Sequence, residues 1–553
     1  MSEHMIITEE ASQKELATTA VSRPVAKLMV LGFLALLLLP GLLQVIWQAR
    51  RGQVFEEFSK FQIPPTRESL RAFEKALDSG SQLRHYFQPR LQGLLSGLGK
   101  FGTEKVTIGS GGWLYYSQGL NYLVGHSFLS PEFLRLRVKN MVDKDGDPDP
   151  HPNPLPALEQ LANDCRKWGI ELVVVPVPDK AMFVLQPLGA PDSSNLQNAG
   201  FEEFSRRLEA LGAEVVNIKR GDYAGQSPWF LKQDTHWTPG FMDAVAAAVA
   251  KRIQPHLSAA AAEALYETRP LHVSANGDLV ELLQLSKEQT LFQPEQAATA
   301  QVIDRKTKRP FVSDANAEVL VLGDSFSLIY SSNVLHWGES AGFGEHVALH
   351  TNRPVEILAM NGSAATGVRQ ELIRFANEGR LQAKRVIVYE FTIRDLSSGN
   401  WKPLPLGEPP ARTAPVVAPS AAVKVPAVEP QAEKKSDTVV AAVPAYPALL
   451  SGTLTFLSKP IDPAVAPYSD GLLYAKMTVD KVDSGTYALK EALVVFVAMR
   501  DRKLMPGAGH KVGERVKLKV TPMRQAPAEY RSWQRSDDTE DFSLTPLFVL
   551  EEQ

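Results

Sequence analysis

The chain has one cysteine, Cys165, among 553 residues. A lone cysteine makes no intramolecular disulfide, and the amphipathic run from Leu158 to Trp168 reads as a helix carrying a partly buried structural thiol. A catalytic thiol would want a poised histidine or a helix N-terminus, and neither is indicated. Charge of one sign is also lacking. Fifty-nine Lys and Arg stand against 62 Asp and Glu, for a net charge of −3 and a pI near 6.5. That balance gives no electrostatic footprint for nucleic acid, and no zinc-finger, helix-turn-helix or RNA-binding signature is present, so nucleic acid is not an expected partner. Cys/His clusters with zinc spacing are absent too. His346 and His350 are four apart, but Val-Ala-Leu lies between them without the glutamate of a zinc-protease helix, and neither a metal nor a cofactor is expected.

Long apolar runs are scarce, with one exception. Leu28 to Trp47 is almost wholly apolar and uncharged, and about 20 such residues cross a bilayer core. Pro40-Gly41 could end a cleavable segment, but the following residues offer no small-x-small cleavage site, so an uncleaved anchor over 28–47 is expected. Lys14, Arg23 and Lys27 on one flank compete with Arg50, Arg51, Lys60 and Arg67 on the other, so charge alone does not orient it. Residues 48–101 read as a helical stalk, with Leu70, Phe73, Leu77, Leu83 and Phe87 near the helical period. Asp143 to His151 has carboxylates at alternate positions, as a calcium loop would. The twelfth position, which should bear a bidentate carboxylate, is Pro154, so a solvated Pro-rich loop is expected.

Over 102–402, helices and apolar strands alternate. Strands are expected at Ile170–Val177, Val319–Leu322, Val355–Ala359 and Val386–Phe391, and helices up to Lys167, over 200–211 and over 240–253. This is the pattern of an α/β domain with a mostly parallel sheet covered on both faces. Residues 403–448, rich in Pro, Ala and Val, read as a semi-rigid linker. Short β-branched runs over 449–553, punctuated by Asp470-Gly471, Asp483-Ser-Gly485 and Pro506-Gly507, predict a small antiparallel β domain, sandwich or OB-like. Its Arg500, Lys503, Tyr530, Trp533 and Arg535 would suit acidic sugars but are equally normal on an exposed face.

Two segments carry chemistry. Gln-Asp234-Thr-His236-Trp237 supplies an imidazole with a carboxylate two residues away, and an extended backbone would put both side chains on one side. Gly323-Asp324-Ser325 follows an apolar strand, so Ser325 is expected at a strand-to-helix turn at the carboxyl end of the sheet. A serine hydroxyl is a poor nucleophile until an imidazole takes its proton, and a buried carboxylate fixes the tautomer of that imidazole. Ser325, His236 and Asp234 are therefore the candidate nucleophile, base and orienter of an acyl-transfer site.

Further candidates follow from position. Asn361 and Gly362, just past a strand, could complete an oxyanion hole, though Asn-Gly is equally a plain turn. Arg394 could hold a uronate carboxylate, with an ion pair to Glu390 as the structural alternative. Lys180 is a candidate rim cation, and Tyr330 a candidate sugar-facing aromatic. Trp113 and Trp237 read as core.

These motifs, with Gly112-Trp113-Leu-Tyr-Tyr116, Pro176-Val-Pro178-Asp-Lys180 and Glu390-Phe-Thr-Ile-Arg394, resemble in order the alginate O-acetyltransferase AlgJ/AlgX group, over about residues 100–402. The resemblance implies an SGNH-hydrolase-like catalytic domain and acetyl transfer to hydroxyls of an exopolysaccharide in the bacterial periplasm. It also implies a cytoplasmic tail over 1–27, an inner-membrane anchor, and an acetyl donor supplied by a membrane-bound acyltransferase of the MBOAT type. The Asp-x-His pair preceding the serine is a feature of that group. The anchor together with a C-terminal β domain departs from each of its two named members, which leaves the polysaccharide open. A carbohydrate esterase with the same triad, or a non-catalytic membrane-anchored polysaccharide-binding scaffold, are the alternatives.

Overall fold

Runs such as Leu172-Val-Val-Val175 and Val319-Leu-Val-Leu322 have no polar alternation, so a sheet built from them needs cover on both faces. In the computed structural model, which describes residues 21–52, 63–191, 196–410, 445–463, 466 and 468–553, they have it. Strands Glu171–Val177, Glu214–Val215, Val319–Gly323, Val355–Ala359 and Val386–Thr392 form one parallel sheet. The Val386–Thr392 strand lies at its centre, between Glu171–Val177 and Val319–Gly323. Helix Pro154–Trp168, capped by the Asn153 side chain at Leu155 N and stopped by left-handed Gly169, leads into the first strand. This SGNH-like α/β arrangement is the fold class expected.

One element was not foreseen. A long antiparallel hairpin pairs Tyr266–Ala275 with Glu295–Asp304, and the short helix Asp278–Leu282 begins its connection.

Strands Ala445–Leu457, Gly471–Thr486, Glu491–Arg500, Arg515–Pro522 and Pro546–Glu552 close into a barrel. In chain order the strands run 1-2-3-5-4 and back to 1 around it, and the third and fifth are parallel, the connectivity of an OB-type barrel rather than a sandwich. Both faces of its third strand are buried: Val494 and Phe496 point into the barrel, Leu493 and Val495 into a second cluster with Trp533 and Phe548.

The barrel and the α/β domain belong to one compact unit, residues 102–283 and 292–553. They are joined through buried charge. Glu371 Oε1 accepts from Arg374 Nη1 at 2.7 Å and from the Tyr474 hydroxyl at 3.2 Å and forms an ion pair with Arg535 Nη1 at 2.9 Å, and Arg374 Nη2 meets Asp537 Oδ2 at 2.7 Å. Most of the expected linker, 411–444, lies outside the described residues. Its first part is packed on the α/β domain: Leu404 and Leu406 are buried, and Leu406 N donates to Asp164 Oδ2 at 3.0 Å.

The other unit comprises residues 1–101 and 284–291. Helix Arg23–Arg50 is long and apolar enough to cross a membrane, and it runs through Pro40-Gly41 without a break. Helices Arg67–Gly80 and Gln82–Gly99 follow, the second capped by the Ser81 side chain at Arg84 N. The expected tail up to residue 20 and the start of the stalk, 53–62, lie outside the described residues, as does the Leu83 side chain.

Candidate active site

Asp234-Thr-His236 forms a tight bend, not the extended strand expected, and the bend brings the two side chains together by a different route. The Phe230↔Trp237 bridge closes it, with Leu231 N donating to His236 O at 3.0 Å. Asp234 Oδ1 then accepts from both the His236 backbone NH at 3.0 Å and Nδ1 at 2.5 Å. Thr238-Pro239 immediately starts helix Pro239–Ile253, Thr238 Oγ1 accepting from Phe241 N and Pro239 filling a position that needs no NH.

The other carboxylate oxygen is held as firmly. Asp234 Oδ2 accepts from Asp278 N at 3.0 Å and from the Trp337 indole NH at 3.1 Å. Burial alone would raise this carboxyl, but the charge and hydrogen bond of His236, with the two backbone NH groups, outweigh it and hold it below its ordinary range. For His236 burial opposes the imidazolium. The charge and hydrogen bond of Asp234, then the charge of Asp278, overcome this and leave its pKa raised. Asp278 moves upward because burial and the charge of Asp234 both disfavour its carboxylate. The buried Nε2 of His236 has no hydrogen-bond partner among the described residues, so the nitrogen that would receive a proton is uncommitted.

Ser325 stands at the turn expected, where strand Val319–Gly323 gives way to the single helical turn Ser325–Leu328. Asp324 fixes that turn, Oδ1 accepting from Phe326 N at 2.7 Å and Oδ2 from Thr392 N at 2.9 Å. A side chain on Gly323 would run into the Ser327 hydroxyl at 2.2 Å, so this residue keeps the turn tight. The segments bearing His236 and Ser325 are stitched directly. Trp237 Nε1 donates to Phe326 O at 3.0 Å, the Tyr330 hydroxyl donates to Trp237 O at 2.6 Å, and the His236 and Phe326 rings lie 4.6 Å apart. Tyr330 is thus wholly buried and corrected from a sugar-facing aromatic to a strut between the segments. Tyr330→Phe leaves the Trp237 carbonyl unpaired, and a stability loss of about 1–3 kcal/mol is expected in urea denaturation.

Ser325, Gly362 and Arg394 line a common cavity of about 660 Å³, together with Tyr116, Asp278, Thr366, Tyr468 and Asp537. Tyr468 and Asp537 come from the barrel domain, which therefore forms part of the wall. The Tyr468 side chain lines the cavity beside Ser325, and burial pushes its phenol far above the ordinary range. Gly362 adopts φ +62°, a conformation that favours glycine.

Asn361 is buried with its Oδ1 unpartnered and its backbone NH on Ser532 O at 3.0 Å, while its neighbour Gly362 faces the cavity. Arg394 pairs with Asp179 at 3.4 Å rather than with Glu390. The alternative ion pair with Glu390 does not form because the strand ends at Thr392 and the chain then turns. Glu390 instead takes the Ser327 hydroxyl at 2.5 Å, its pKa well raised by burial and by the charge of Asp324. Lys180 is not a rim cation. Its buried Nζ donates to Leu114 O at 2.7 Å and Lys232 O at 3.2 Å, and burial lowers its pKa to about 8. Asp278, Trp337 and Tyr468 were missed by sequence reasoning; no local pattern marks them, since each meets its partner across a long stretch of chain.

Among solved structures, the O-acetyltransferase domain of Pseudomonas putida AlgJ is similar at 19% identity and TM-score 0.40, covering 53% of this chain and 93% of that one. Pseudomonas aeruginosa AlgX is similar at 12% identity and TM-score 0.34, covering 82% and 92%. A curated relative, "Probable alginate O-acetylase AlgJ" of Azotobacter vinelandii, is 27% identical over 169 residues. That match takes in 29% of this chain and 43% of the relative, so the chain spans less than half the length of the curated relative it matches. The family described as "SGNH hydrolase-like domain, acetyltransferase AlgX" matches residues 106–393, to just before Arg394 and over more than half of the chain, and the chain belongs to that family.

Proposed function

We propose that the chain is an O-acetyltransferase that moves an acetyl group through Ser325 onto hydroxyls of an alginate-type polysaccharide. The observation that carries this reading is the buried His236–Asp234 pair. Its carboxylate is saturated by four donors, its Nε2 has no hydrogen-bond partner among the described residues, and its ring packs on Phe326, the residue after the cavity-lining Ser325. Ser325 Oγ attacks the carbonyl carbon of the donor while His236 Nε2 takes the hydroxyl proton. The tetrahedral intermediate collapses, the donor's leaving group departs with that proton, and an acetyl ester remains on Ser325. A sugar hydroxyl then enters, gives its proton to His236, attacks the ester carbonyl and leaves acetylated, and the proton returns to Ser325. The Gly362 NH at the cavity wall is the proposed oxyanion donor, with Asn361 supporting its turn.

The buried Arg394, at the same cavity, offers charge complementarity to a uronate carboxylate. Helix Arg23–Arg50 serves in this reading as a single-pass inner-membrane anchor with the rest of the chain in the periplasm. The acetyl donor is delivered there by a membrane-bound MBOAT-type acyltransferase. Esterase chemistry would differ only in the acceptor. Comparing acetate release with and without uronate oligosaccharide separates the two: acetyl transfer that displaces hydrolysis is expected, and hydrolysis unchanged by acceptor contradicts the transferase reading.

The raised pKa of His236 has a sign that can be checked. The base works only when neutral, so activity rises with pH through a limb whose midpoint lies above the ordinary histidine value of about 6.5. Asp278→Asn removes a negative neighbour, lowers the His236 pKa and moves that limb to lower pH. A limb that stays in place in the pH–rate profile of the variant would show that Asp278 does not act on His236.

A further inference from the structure

Helices Pro239–Ile253 and Phe343–Thr351 pack side by side, and a second group of metal-ligand side chains sits between them, apart from the Ser325 cavity. Asp243 projects from the first helix, His346 and His350 from successive turns of the second. Asp243 Oδ1 lies 2.6 Å from His346 Nδ1 and 2.6 Å from His350 Nε2. The ligand atoms of the three residues fall within 4.8 Å of one another.

The hydrogen-bond inventory of His346 makes the arrangement informative. Its Nε2 lies 3.0 Å from the Ala300 carbonyl, which can only accept, so Nε2 carries hydrogen. Its Nδ1 faces a carboxylate oxygen, which also only accepts. A neutral imidazole has one hydrogen for these two acceptors, so a bare Nδ1 lone pair would point at a carboxylate lone pair. A cation between them, either a second proton or a metal ion, removes the conflict. An imidazole whose far NH is tied to a backbone carbonyl is the usual arrangement of a metal-bound histidine, because that bond fixes the tautomer and the ring orientation. His346 is buried, whereas Asp243 and His350 are part-exposed, with 43% and 29% of their side chains accessible, which leaves an entry path and room for water as a further ligand.

We propose that Asp243, His346 and His350 form a binding site for a divalent transition metal, with zinc the best match to two imidazoles and one carboxylate. The ion clamps the two helices to each other, and through Ala300 to the Glu295–Asp304 strand. Helix Pro239–Ile253 starts three residues after His236, and helix Phe343–Thr351 follows the segment bearing Trp337, the indole donor to Asp234. The site therefore braces both supports of the His236–Asp234 pair without touching the reacting atoms. Local spacing set His346 and His350 aside because no glutamate lies between them. Their third partner stands 103 positions before His346.

The test uses the full chain in detergent, stripped with a chelator and dialysed. Wild type is expected to bind one Zn²⁺ per chain in calorimetry, and Co²⁺ with the visible d–d absorption of a low-coordinate N/O site. Chelator should lower its melting temperature and zinc restore it. His350→Ala, at a part-exposed position, should keep the fold by circular dichroism yet weaken binding by more than about tenfold and lose the response to chelator. Asp243→Asn should do the same. No binding by wild type, or equal binding by wild type and both variants, overturns the proposal. A wild-type melting temperature that is the same with zinc as with chelator also overturns it, leaving a hydrogen-bonded His-Asp-His cluster.

Discussion

Asp234→Asn is expected to lower acetyl transfer by about 10,000-fold while leaving the fold intact. The size follows from how the carboxylate is held. Asp278 N and Trp337 Nε1 both donate to Oδ2, so an amide here must keep its oxygen at that position and turn its NH₂ group toward His236. The NH₂ then meets His236 Nδ1, which must accept rather than donate, and the imidazole proton moves to Nε2. The base thereby loses the lone pair that would take the Ser325 proton. Steady-state rates with an activated acetyl ester measure the loss, and Asp234→Asn combined with Ser325→Ala should be little worse than Ser325→Ala alone, because the residues act as a unit. A loss under about tenfold for Asp234→Asn would mean that His236 is not the base.

Glu371→Ala is expected to destabilise the unit of residues 102–283 and 292–553 by about 3–5 kcal/mol and to abolish polymer acetylation along with it. Glu371 lies between the guanidinium groups of Arg374 and Arg535, whose side chains are 3% and 7% exposed. Removing it strands cationic charge in a site with little access to water. Burial would raise the Glu371 carboxyl, but Arg374 and Arg535, with the Tyr474 hydrogen bond, bring it below its ordinary range. Charge is therefore present on both sides of the contact at neutral pH. Activity falls as well because the barrel supplies Tyr468 and Asp537 to the cavity wall. The measurement is the urea midpoint at unchanged m-value, with the rate of proteolytic release of the barrel. A shift of under about 1 kcal/mol would make these pairs equivalent to solvated surface pairs and the barrel's docking incidental.

What could be read in the sequence were the features that local pattern encodes. Buried parallel strands are apolar throughout, so Val319–Gly323, Val355–Ala359 and Val386–Thr392 stood out within a residue or so. Gly323-Asp324-Ser325 after such a strand marked the turn. The Asp234–His236 partnership was legible by residue type, although the bend that creates it was not, since the Phe230↔Trp237 closure depends on Trp237 reaching Phe326 across 89 positions. Lys180 and Tyr330 misled for a common reason: each has a polar tip that looks destined for solvent or ligand, and each finds a backbone carbonyl inside the core. The docking of the barrel was hidden because its buried arginines and carboxylates look, one at a time, like ordinary surface charge. The hairpin bearing Asp278 at its connection was missed, and with it the second carboxylate near His236.

Covalent labelling tests the Ser325 acetyl-enzyme directly. The full chain in detergent is mixed with an isotope-labelled acetyl ester, quenched in acid and digested, and the label is located by mass spectrometry before and after addition of uronate oligosaccharide. Acetyl is expected on the peptide containing Ser325, absent in Ser325→Ala, and passing to the sugar once oligosaccharide is added. Acetylated sugar formed without any Ser325-dependent label, or no label with any donor, would contradict the acetyl-enzyme mechanism.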